Sequence, residues 1–167
     1  MKQRKEITLN NVSVLFVNKK GEEMQISSRF TIALHILTAI ETFKDEYHVT
    51  SEFLAGSVQV NPVIIRNILL QLKTAGIVQI PRGRASGSIT LLKKMEEISL
   101  LDVYKAIEPL EHDTLFAFHK NPNPKCPVGK NVHNILDDRL LSVQKAMEDK
   151  LKNMKLSDVL DDLGKLM

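Results

Sequence analysis

The residues in this chain whose types and spacing suit chemistry begin with His112, His119, Cys126 and His133, each seven positions from the next. Imidazole and thiolate are good ligands for zinc or ferrous iron. A thiol near an imidazole is also the beginning of a nucleophilic site. Pro122, Pro124 and Pro127 interrupt any helical register that would bring the four to one face, and no orienting acid or oxyanion-stabilising group stands at a useful spacing. The expectation is no metal, no cofactor and no enzyme. Cys126 is the single cysteine, which excludes an internal disulfide and a cluster held by several thiolates. Lys125, Lys130 and a nearby helix start would lower its pKa and make it a redox-sensing thiol. The bland alternative is a small apolar residue packed in its loop.

A second set of residues is suited to holding a polyanion. Residues 1–52 carry seven Lys/Arg and seven Asp/Glu, residues 53–95 carry six and none, and residues 96–167 carry ten and thirteen. The net charge of +3 therefore hides a basic middle without a carboxylate. Each cation set against a phosphate releases counterions, and charge alone leaves a solvated basic face as the rival reading. Within that middle, Val63, Arg66, Asn67, Leu70 and Lys73 recur at helical spacing. They mix hydrogen-bond donors with aliphatics able to meet thymine methyls. Arg82, Gly83, Arg84, Ala85, Ser86, Gly87 and Ser88 follow as a small-residue, basic turn that a phosphate or minor groove can approach closely.

The elements that must position these residues are legible from period and punctuation. Phe30, Ala33, Leu34, Leu37 and Ile40 predict a helix over residues 28–43, capped by Ser27 or Ser28. His35, on that helix, is expected in the core or an interface. Thr50 or Ser51 caps a short helix through Leu54, Ala55 and Val58. Asn61 and Pro62 then open a third that runs to about Ala75 and stops at Gly76. Ile65, Ile68, Leu69 and Leu72 form its buried stripe. Two helices joined by a tight turn read as a helix-turn-helix. The period then changes to two through Ile77, Val78 and Ile80, returning in Ile89, Leu91 and Leu92, which makes a hairpin in the position of a wing. Ser99 begins a short helix through Ile107. From Asn131 a helix of about twenty residues carries Leu136, Leu140, Val143, Met147 and Leu151 near heptad spacing, so the stripe is expected to be the seam of a two-fold dimer. A last helix is expected over residues 156–163, capped by Ser157. The fold class is mainly α with a small β-hairpin wing: an irregular N-terminal extension (1–23), a winged helix-turn-helix domain (24–107), a Pro-rich loop with Cys126 (108–131), and a dimerisation helix with a C-terminal helix (132–167).

In the stretch Ser28 to Leu37, in Asn61 to Arg66, and in Leu72 to Val78 with Arg82 and Gly83, the chain resembles the bacterial Rrf-two (Rrf2) family of dimeric winged-helix regulators. The resemblance runs from Met24 to about Leu163. It implies that Arg66 and Asn67 read base edges in the major groove. It also implies that Ser28, Arg29, Thr50, Ser51, Arg82 and Arg84 hold phosphates or enter the minor groove. With Asn61, Val63, Lys73 and Ser86 these make the expected DNA-contacting set. Family wings usually carry further glycines after Arg-Gly, where this chain has Ala85 and Ser86 before Gly87. Members with an iron–sulfur cluster use three cysteines, so the resemblance is to a subgroup without one.

The resulting expectation is a cytoplasmic, homodimeric, sequence-specific regulator of transcription, a repressor, with double-stranded DNA as partner and a small-molecule or oxidant signal. The rival is a thiol-sensing or protein-interaction module that has lost specific DNA binding. No apolar run approaches the ~20 residues of a membrane span. Lys20, Gly21, Glu22 and Glu23 precede Met24 and can be encoded as a ribosome-binding sequence, so residues 1–23 are expected to be a translated leader, the alternative being a basic arm along DNA.

Overall fold

The computed structural model describes residues 27–81, 87–108, 115–116 and 119–167. The expectations for the N-terminal extension, for the wing tip with Arg82, Gly83, Arg84, Ala85 and Ser86, and for His112 lie outside the described residues. The elements are α1 (Ser28–Phe43), α2 (Ser51–Val58), α3 (Pro62–Thr74), β1 (Val78–Gln79), β2 (Thr90–Leu91), a 3-10 turn (Met95–Glu97), α4 (Leu100–Ile107), α5 (Pro127–Asn153) and α6 (Leu156–Gly164).

Four helices begin where a side chain satisfies an otherwise unpaired backbone N–H. Ser27 Oγ accepts from Arg29 N–H at 3.1 Å, Thr50 Oγ1 from Phe53 N–H at 3.1 Å, and Asn61 Oδ1 from Val63 N–H at 2.9 Å. At α4 the arrangement is reciprocal: Ser99 Oγ accepts from Asp102 N–H, and the Asp102 carboxylate accepts from Ser99 N–H. Gly76 ends α3 at φ 70°, and Ile77 N–H closes the turn on Leu72 O at 2.9 Å.

The core lies between α1, α3 and α4. Ile36, Leu37 and Ile40 meet Ile65, Ile68, Leu69 and Leu72, the predicted inner stripe of α3, with Leu54, Val103 and Ile107 around them. Leu156 of α6 joins this cluster and is fully buried. It is held there by a backbone bridge, in which Leu100 N–H donates to Met154 O and Leu156 N–H to Ile98 O, each at 2.9 Å.

The structure departs from the sequence reading at several points. The hairpin ladder is short, pairing Val78 with Leu91 and Gln79 with Thr90. Ile89 N–H donates instead to Val49 O, because both side chains are buried in the core. Helix α5 starts at Pro127 rather than near Asn131 and runs 27 residues; Pro127 occupies the first helical position, where a missing N–H is harmless. Ser157 lies inside α6. The start of that helix is made by Asp158, whose carboxylate accepts from Lys155 N–H at 2.7 Å. Leu151, expected in the dimer seam, is half-buried against its own core, which leaves the seam untested. His35 is exposed and bonds Ser57 Oγ at 3.1 Å, so it is no core histidine. Among the described residues no single helix is long and apolar enough to cross a membrane.

Candidate nucleic-acid interface

Between α2 and α3 the chain turns through 115°. Gln59 makes the turn in the left-handed region, φ 56°, with its N–H on Ala55 O. This projects the outer side of α3 away from the body of the domain. Arg66, Asn67 and Lys73 on that side are exposed. Val63 and Leu70 on the same side are 54% and 59% exposed.

The start of α2, the outer side of α3 and the base of the hairpin enclose a hollow of about 540 Å³, with Thr50, Ser51, Arg66, Asn67 and Leu70 among its walls and Ile80, Pro81 and Gly87 at the hairpin side. The structure thus brings together Thr50, Ser51, Arg66 and Asn67, whereas Asn61, Val63 and Lys73 are not among the walls of this hollow. Thr50 is engaged as the α2 cap, Asn61 as the α3 cap, and the Ser51 hydroxyl donates to Glu52 Oε2 at 3.0 Å. Ser28, at the first position of α1, is exposed. Arg29 instead ties helices together: its Nη2 donates to Gln71 Oε1 at 2.6 Å, joining α1 to α3.

Sequence reasoning missed Glu52. Its Oε1 accepts from Arg66 Nη2 at 2.6 Å. The Arg66 hydrogen bond, then its own backbone N–H and the Ser51 hydroxyl, hold the Glu52 carboxyl down at about 2. The available signal was its place directly before the acid-free run, although an acid in a first helical turn reads equally well as a partner for the helix dipole.

The residues around Cys126 gather less. Cys126 is half-buried at the N-terminus of α5. His119 and His133 stack with ring centroids 5.4 Å apart, and His133 Nδ1 lies 3.1 Å from Asp137 Oδ1. Among the described residues no three His, Cys, Asp or Glu side chains converge as a metal site. Further along α5, Leu136 and Val143 are 41% and 54% exposed, with Leu140 and Met147 half-buried beside them.

A helix-turn-helix backed by a hairpin, with an exposed helix of Arg, Asn and aliphatic side chains, defines a winged-helix DNA-binding regulator. Residues 26–162 match the Rrf2 family, described as an iron-dependent transcriptional regulator. YwnA of Bacillus subtilis (strain 168), by its name an HTH-type transcriptional regulator, is 46% identical over 83% of this chain and 98% of its own. A crystal structure described as a DNA-binding protein is 41% identical, with a TM-score of 0.61 over 80% of this chain and 99% of that one. IscR of T. potens, at 21% identity and a TM-score of 0.57 over 84% and 88%, shares the fold. The chain belongs to the Rrf2 family of transcriptional regulators. The family and relatives that match are regulators, and no enzyme family is indicated.

Proposed function

We propose that this regulator acts in the cytoplasm as a homodimeric repressor that reads its operator with α3. The observation that carries the reading is the outer side of α3, where Arg66 and Asn67 stand beside the exposed Val63 and Leu70. Arginine pairs with guanine O6 and N7, asparagine with adenine, and aliphatics with thymine methyls. The Thr50–Ser51 start of α2 offers its backbone N–H groups to a phosphate, Ser28, Lys73 and the Arg29 guanidinium N–H groups not used on Gln71 are further phosphate contacts, Asn61 sets the start of the reading helix, and Arg82, Arg84 and Ser86 are assigned to backbone or minor groove. The exposed Leu136 and Val143, seven residues apart on α5, with Leu140 and Met147, supply the surface for a second copy. Repression is what a dimer seated on a promoter produces by occupying it. The intracellular signal is an oxidant or small molecule, with Cys126 as the responding thiol.

Binding to duplexes from the promoter region of the regulator's own gene tests the assignment. Arg66→Ala is expected to cost about 1 to 3 kcal/mol of discrimination at one position per half-site. Lys73→Ala is expected to weaken all sequences alike and to reduce the salt slope by about one. Equal, sequence-blind losses for both would overturn the roles given to α3.

A further inference from the structure

We propose that Glu52 is a specificity-determining residue, which fixes the guanidinium of Arg66 in one orientation and disfavours DNA that offers no guanine there. The proposal rests on the reading of α3 as the DNA-reading helix and adds a residue from α2 to it. Between Glu52 and Glu96 the sequence contains no Asp or Glu, so Glu52 brings a carboxylate to an otherwise acid-free stretch. A negative charge on a phosphate-facing surface lowers affinity for every DNA. A carboxylate on that surface therefore needs a use other than attraction.

The geometry supplies one. Both carboxylate oxygens are engaged, Oε1 by Arg66 Nη2 at 2.6 Å and Oε2 by the Ser51 hydroxyl at 3.0 Å. Ser51 and Glu52 open α2, whose first turn is locked by Thr50. The carboxylate is therefore aimed from a fixed helix end at a side chain fourteen residues away on α3. An unrestrained arginine swings between bases and phosphates and loses rotamer freedom at each contact. Held by one N–H of Nη2, the planar fork keeps its remaining donors for guanine O6 and N7, while adenine would present its own amino donor to the cation. The pair is exposed, 57% for Arg66 and 63% for Glu52, and contributes little to folding stability, so its role is read from sequence preference rather than from stability.

The test uses the full chain and a pool of randomised duplexes, comparing wild type, Glu52→Gln, Glu52→Asp, Arg66→Ala and the double variant Glu52→Gln/Arg66→Ala. Wild type is expected to enrich a motif with a guanine column in each half-site. Glu52→Gln is expected to bind random-sequence duplex several-fold more tightly and to lose roughly tenfold of the preference in that column alone. Glu52→Asp keeps the charge but shortens the reach to Arg66 by one methylene, so it should retain wild-type affinity for random duplex and still lose the guanine preference. In the Arg66→Ala background the Gln substitution should alter no column. A Glu52→Gln motif identical to wild type, or one flattened equally at every position, would overturn the proposal while leaving α3 as the reading helix. A wild-type pool without any motif would overturn both.

Discussion

Cys126 enters α5 with its thiol held below the ordinary thiol range by the backbone N–H of Gly129 first and that of Val128 second. The direction fixes the consequence: a depressed folded-state pKa means more thiolate near neutral pH than in the unfolded chain. Its contribution to stability is present above the unfolded pKa and is lost as pH falls through the folded one. Alkylation by iodoacetamide is therefore expected to reach half its plateau rate at a lower pH in the native protein than in urea, and equal midpoints would refute the thiolate assignment. Because each chain has one cysteine, any disulfide it forms joins two chains or takes up a small thiol, and without such a partner the sulfenic acid proceeds to sulfinic and sulfonic acid. Oxidant should change DNA affinity in wild type and leave Cys126→Ser unchanged. At this scale the sequence exposed Arg66 and Asn67, because the period of α3 alone decides which side they face. It hid the Glu52–Arg66 pair, because that contact depends on the 115° turn between two helices.

Elements bounded by local signals were legible in the sequence, and those bounded by tertiary contacts were not. Helix α1 ends where its period ends, and α2 and α3 begin at Thr50 and Asn61 as their side-chain chemistry demands. Helix α5 was misjudged because Pro122, Pro124 and Pro127 look alike in sequence, whereas only the last stands at a first helical position. The segment before it is also folded back onto the helix: Lys125 N–H donates to Asn123 Oδ1 at 2.9 Å and Cys126 N–H to Asn123 O at 3.2 Å. A Cβ on Gly129 would collide with the Asn123 carbonyl oxygen. Glycine in a helix ordinarily costs about 1 kcal/mol relative to alanine. Gly129→Ala should nevertheless destabilise, by about 1 to 3 kcal/mol, since the backbone of Asn123 must move. Urea denaturation gives the sign directly, and a more stable variant would show that the loop yields freely.

For the whole molecule the decisive question is which side of α5 is already occupied. Gln144 is buried, accepting from Leu115 N–H at 2.9 Å and donating to Glu148 at 2.8 Å, while Leu151 packs on the core. That side fastens α5 to its own domain, which the heptad alone could not distinguish from a seam between copies. Leu136 and Val143 remain exposed. Leu136→Asp with Val143→Asp is expected to give a folded monomer by light scattering and circular dichroism, since charge is placed in the proposed apolar seam without touching the docked side. A dimer that persists would move the interface elsewhere. In the homodimeric repressor proposed above, a seam made only when two copies meet would also shape the response to gene dosage. Below the dimer's own Kd, doubling the chains in a cell quadruples the dimers, so operator occupancy climbs as the square of expression, and a modest fall in synthesis releases the promoter more sharply than it would for a monomeric repressor.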